Sequence, residues 1–149
     1  MVAVNSASNS VLDDEAIVLA GSARTREDAI AEAGALLVSS GAVEPSYVDA
    51  MHERERSVST HMGNLLAIPH GTNEAKGDIL RTALSFVRYP DGVDWDGNRV
   101  EFVVAIAGAG DDHLALLSRL AGIFVDDDQV QELRTARSAS EVHSILDAG

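Results

Sequence analysis

Apolar residues recur along this chain with two different periods, and each change of period places an element. The short run from Ala16 to Leu19 reads as a first strand. Thr25 and Asp28 stand at capping-box spacing, and Ala29, Ile30, Ala33, Leu36 and Leu37 then keep helical period up to Gly41. Glu44-Pro45 opens a second helix, because proline suits a first turn, and Tyr47, Ala50 and Met51 mark its buried stripe. Strands are predicted at Leu65 to Ile68, Leu80 to Val87 and Val100 to Ala107, the last two joined by the turn-rich YPDGVDWDGN as a hairpin or near neighbours. Asp111 is predicted to cap a third helix whose inward stripe is Leu114, Leu117, Leu120, Ala121 and Phe124. A short helix around Val130 to Thr135 follows, and Ser138 with Glu141 starts a last helix burying Val142, Ile145 and Leu146.

Helices and strands interleave without strict alternation. The expectation is therefore an α/β fold in a single domain, with a mixed β-sheet sandwiched by helices. With 149 residues and 46% hydrophobic content the chain is long enough for one core. Residues 1–10, small and polar apart from two valines, read as a flexible N-terminal tail rather than a signal peptide, leaving 11–149 as the domain. No apolar run is long enough to span a bilayer, so direct membrane insertion is not expected, and a cytoplasmic location is. The absence of cysteine excludes disulfides, thiolate metal sites and a cysteine nucleophile in this chain. A formal charge of −13, from 24 acidic against 11 basic residues, makes nucleic acid and anionic membrane poor partners and a basic protein a better one.

The stretch Leu65-Leu66-Ala67-Ile68-Pro69-His70-Gly71 carries the first candidate for chemistry. Proline stops a strand ladder because it has no N–H to donate, and glycine lets the backbone turn sharply or be approached closely. His70 is thus held on a rigid stalk at a strand end, for a structural or a reactive purpose. His113 lies in the first turn of the third predicted helix, where the helix dipole favours a neutral imidazole and an anion; it is either a ligand for phosphate or a core histidine bonded to a carbonyl. Arg54 continues the stripe of Tyr47, Ala50 and Met51, and an inward arginine needs an anion, either a carboxylate or a bound phosphate. His52, His61 and His143 have no comparable placement, and no histidine pair has the i,i+4 spacing of a helical metal site. The G-x-S-x-G, Walker A and H-E-x-x-H signatures are missing, and Gly108-Ala109-Gly110 is followed by two aspartates where a pyrophosphate would sit.

Three stretches match a known family. EPSYVDAMHERERSVSTHMGNLLAIPHGTNEAKGDIL, then RYPDGV, then DDHLALLSRLAGIFVDDDQV resemble the mannitol/fructose type of enzyme IIA of the bacterial phosphotransferase system (PTS), nearer to the mannitol type. The likeness runs from about Val11 to the end, and the Gly63 to Gly71 core is its most specific part. The resemblance implies the mannitol-type EIIA fold and a phosphorylatable histidine at His70, accepting at Nε2 from phospho-HPr and passing the group to a cysteine of an EIIB on a separate chain. Nδ1–H would then need a carbonyl or carboxylate acceptor. Arg54 and His113 match the family's supporting arginine and second histidine. No cofactor is implied. The alternative within the resemblance is a regulatory, nitrogen-related EIIA, whose phosphorylation state controls partner proteins.

Overall fold

In the computed structural model, which describes residues 11–109 and 111–148, a hairpin of two long strands organises everything else. Strands β1 (Ile17–Val18), β2 (His61–Gly63), β3 (Leu66–Ala67), β4 (Ala83–Trp95) and β5 (Asn98–Ala107) form one sheet in the order β1-β4-β5-β3-β2. The β1·β4 and β3·β5 pairs are parallel, and β4·β5 and β2·β3 antiparallel, so the sheet is mixed. The expected tail at residues 1–10 lies outside the described residues.

The sheet is covered on both faces because β5 is apolar at successive positions. Val103, Ala105 and Ala107 pack toward helices α1 (Arg26–Ser39) and α2 (Ser46–Ser57). Phe102, Val104 and Ile106 point the other way, toward α3 (Asp112–Phe124), α4 (Asp127–Thr135) and α5 (Ala139–Ala148). The alternation follows from the two-residue period of a strand, and burial on both faces is why no polar face appears in the sequence. Trp95, Phe86 and Phe102 are fully enclosed, and each contributes about 1.5–3 kcal/mol by leaving water.

The helix starts follow the predicted chemistry in part. Thr25 accepts the Asp28 N–H at 3.1 Å, and Ser138 accepts the Glu141 N–H at 3.2 Å. Asp111 makes no side-chain capping bond, a correction to the expected cap; the adjacent Asp112 instead accepts from Thr82 Oγ1 at 2.7 Å. The buried stripe of α3 is Leu116, Leu120, Ile123 and Phe124, while Leu114 is 67% exposed and Leu117 only half-buried. Leu114 therefore does not belong to the inward face.

The β4–β5 connection also differs from its reading as a long turn. Only Asp96-Gly97 turns, with φ of 54° and 90°, as a two-residue hairpin loop requires. Pro90-Asp91-Gly92 sits within β4, where the register shifts between Arg88 and Val93, so a bulge absorbs the turn residues. The structure adds β2 and a 3-10 turn at Asn73–Asp78, both unmarked by hydrophobic period.

Candidate active site

His70 leaves the sheet where β3 runs out. The Pro69 carbonyl accepts the Ile106 N–H at 3.0 Å, and His70 makes an isolated parallel bridge to Ile106, so β5 guides the chain one step past the ladder. The next residue is tied from the opposite side. Gly71 N–H donates to Tyr47 Oη at 2.9 Å, and Tyr47 Oη donates to the Ile106 carbonyl at 2.9 Å. A Cβ on Gly71 would stand 2.6 Å from the Tyr47 ring, so glycine is needed for this close approach. Burial raises the Tyr47 hydroxyl above its ordinary value of 10, which keeps its proton in place as the donor to Ile106.

The ring of His70 has one fixed nitrogen. Nδ1 lies 2.8 Å from the Ile68 carbonyl, which can only accept, so Nδ1 carries the proton and Nε2 keeps the lone pair. The acceptor left open between a carbonyl and a carboxylate is thus the backbone two residues upstream. Burial pushes His70 below the ordinary histidine range; the Ile68 bond pulls it upward, the Arg54 charge pushes it down again and the Glu55 charge pulls it up. The net direction is downward, which leaves a neutral imidazole at neutral pH.

His113 enters from α3. Its ring meets that of His70 edge to face, with centroids 4.7 Å apart and an interplanar angle of 61°. The helix start comes this close because Gly108 has no side chain: a Cβ there would lie 2.5 Å from His113 Cα. Burial holds His113 below its ordinary value, and His70, Lys76 and Arg54 push it further in that direction. His113 is half-buried at the margin of the inward face of α3, facing His70 instead of the core.

Arg54 is half-buried, lines the same cleft and donates to the Val58 carbonyl at 2.7 Å. It pairs with no carboxylate among the described residues, which disposes of the buried ion pair. The inward polar residue of α2 is its neighbour Glu55, 4% exposed. Lys76, from the 3-10 turn, lines the cleft as a further cation that hydrophobic period gave no reason to select. The cleft has a volume of about 410 Å³. It combines a nucleophilic nitrogen with cationic groups, an arrangement suited to an anionic electrophile such as a phosphoryl group.

Comparison with known proteins agrees with this chemistry. Residues 10–149 match the family model described as "Phosphoenolpyruvate-dependent sugar phosphotransferase system, EIIA 2". The mannitol-specific phosphotransferase enzyme IIA component of Halalkalibacterium halodurans is 47% identical over 139 residues, covering 93% of this chain and 96% of that protein. Enzyme IIA of Escherichia coli, solved in complex with phosphorylated mannitol enzyme IIB, superposes with a TM-score of 0.86 at 35% identity, covering 92% of this chain and 97% of that one. The crystal structure of IIA mannitol from the same organism gives a TM-score of 0.83 at 36% identity, over 90% and 97% of the two chains. With the fold and the match of nearly the whole sequence in agreement, the chain belongs to the EIIA 2 family of the phosphoenolpyruvate-dependent sugar phosphotransferase system.

Proposed function

We propose that this protein is the phosphocarrier of a mannitol-type system, with His70 as the residue that carries the phosphoryl group. The observation that carries this reading is the 2.8 Å bond from His70 Nδ1 to the Ile68 carbonyl, which reserves Nε2 as the nucleophile. Nε2 attacks the phosphorus of phosphohistidine on HPr; the new N–P bond forms as the donor's N–P bond breaks, and that electron pair stays on the donor ring. In the second step a cysteine thiolate of EIIB attacks the same phosphorus, since these 149 residues hold no cysteine of their own. The pair of the His70 N–P bond then returns to Nε2.

Transfer of this kind needs in-line placement and neutralisation of charge. Arg54 supplies a permanently charged guanidinium with planar donors, and His113 supplies a ring N–H beside the acceptor. The acidic chain, at −13, favours a donor that is basic around its histidine. No helix of the described residues is long and apolar enough to cross a membrane, in keeping with work in the cytoplasm alongside HPr. The relatives named above are mannitol components, and no observation favours the regulatory alternative.

The test is intact mass after incubation with phosphoenolpyruvate, enzyme I and HPr. One acid-labile phosphoryl group is expected on the native chain and none on His70→Ala, whose circular dichroism should match the parent. Phosphorylation of a folded His70→Ala protein would assign the acceptor elsewhere. Passage of the group from the native chain to a mannitol EIIB cysteine checks the second step.

A further inference from the structure

Glu55 is a buried carboxylate that the transfer steps above leave unused. It lies on the last turn of α2, 4% exposed, with both oxygens occupied by donors. Oε2 accepts the Thr60 N–H at 3.0 Å and the indole N–H of Trp95 at 2.9 Å, while Oε1 accepts from Thr60 Oγ1 at 2.5 Å. Thr60 is 5% exposed and Trp95 fully enclosed, so water does not substitute for these partners. A carboxylate removed from water is costly unless such donors compensate it, which makes its retention at this position a question of purpose.

The bonds continue to the reacting ring. The Thr60 carbonyl accepts the Ile68 N–H at 3.1 Å, and the Ile68 carbonyl accepts His70 Nδ1–H at 2.8 Å. One carboxylate therefore anchors Thr60, which holds Ile68, the residue whose carbonyl is the His70 acceptor. Trp95 ties the same carboxylate to the tip of the β4–β5 hairpin, so helix, hairpin and β3 end share one fixed point. Arg54, adjacent in the chain, is carried to the cleft by the helical turn that Glu55 anchors.

Charge points the same way. When Nε2 gains the phosphoryl group with Nδ1–H retained, positive charge develops on the ring. The negative charge of Glu55 favours a positive His70 ring, opposing the burial that disfavours it.

We propose that Glu55 is a positioning residue for the reaction at His70: through Thr60 and Ile68 it holds the imidazole as the Nδ1–H tautomer, and its charge supports the ring as it takes the phosphoryl group. The inference rests on His70 being the acceptor. Outer partners that orient a metal-ligating histidine carry losses of about 10–100-fold when removed, and a loss on the same scale is expected for the reacting ring here.

The experiment compares the native chain with Glu55→Ala, Glu55→Gln and Thr60→Val. It reads the proton position on His70 by ring nitrogen NMR above the titration range, and the saturating rate and KM for phospho-HPr. Native protein should show Nδ1–H alone. Glu55→Ala should show mixed tautomers and a saturating rate lower by about 10–100-fold, with KM within about twofold of native. Glu55→Gln retains an oxygen for the Thr60 and Trp95 N–H groups, so it should keep the tautomer yet lose rate by about tenfold through loss of charge.

Thr60→Val removes one bond and should fall between native and Ala in tautomer mixing. A folded Glu55→Ala protein with Nδ1–H alone and native rate would overturn the proposal. If Glu55→Ala does not fold, native rate in both Glu55→Gln and Thr60→Val overturns it equally. Absence of phosphate on His70 in the native chain is a separate result, which removes the acceptor reading itself.

Discussion

The imidazoles of His70 and His113 stand edge to face with their centroids 4.7 Å apart, one carried by the end of β3 and the other by the first turn of α3. Neither ring can take a proton without placing positive charge beside the other, beside Arg54 and, for His113, beside Lys76. The pair is therefore kept neutral near neutral pH.

Removing the second ring should slow transfer without abolishing it. His113→Ala is expected to accept one phosphoryl group, at a rate lower by about 10²–10³-fold, as for loss of one aimed donor. Single-turnover kinetics from phospho-HPr checks this. Complete loss of acceptance with the fold intact would make His113 more than a supporting group.

The pH dependence has a definite sign. Both histidines titrate below the ordinary 6.5, so just under that value the folded protein binds fewer protons than the unfolded chain. Stability then rises with pH through this interval and is lost as the pH falls below 6.5 and through the lowered folded-state values. His70→Ala and His113→Ala should each lose less stability over that range in urea titrations. The acceptor rate of the native chain should keep its acid limb below 6.5, since protonated Nε2 has no lone pair to attack with.

Tyr47 offers a test of how the His70 loop is held. Tyr47→Phe keeps the ring but leaves the Gly71 N–H and Ile106 carbonyl without their shared hydroxyl. The expected cost is about 1–3 kcal/mol, read from urea unfolding, together with slower phosphorylation of His70. Unchanged stability would mean that water replaces the hydroxyl in the cleft.

Gly108 sets how near α3 comes to β3. Gly108→Ala places a methyl 2.5 Å from His113 Cα and 2.7 Å from its backbone nitrogen, against atoms that move only with the helix. Stability should fall by about 1–3 kcal/mol, and transfer should slow by at least as much as in His113→Ala. A thermal melt and the single-turnover rate measure the two effects.

Much of the fold was legible because burial leaves a periodic trace. The α1 start at Thr25 and the α5 start at Ser138 rest on caps three residues long, and the apolar runs of β3 and β5 record burial on both faces. The readings that failed involved competition. Asp111 loses its capping role beside an Asp112 bound to Thr82, and Leu114 follows Leu117 in period yet lies off the face that Leu116 and Leu120 select against the sheet. Pro90-Asp91-Gly92 looks like a turn until pairing with β5 continues beyond it to Trp95.

For the site, residue types and local mounting were written in the chain: a histidine stopped by proline, a histidine in a helix's first turn, and an arginine on α2 near Met51. Partner identity was not. The Ile68 carbonyl that selects the tautomer, the Tyr47 hydroxyl that spans Gly71 and Ile106, Lys76 on its 3-10 turn, and Glu55 with Thr60 and Trp95 are all defined by contacts. Local sequence determines which groups are present and which way each element carries them, because capping, turning and strand termination act within a few residues. Only packing both helical layers onto one sheet decides which groups meet, because those distances depend on the whole core closing at once.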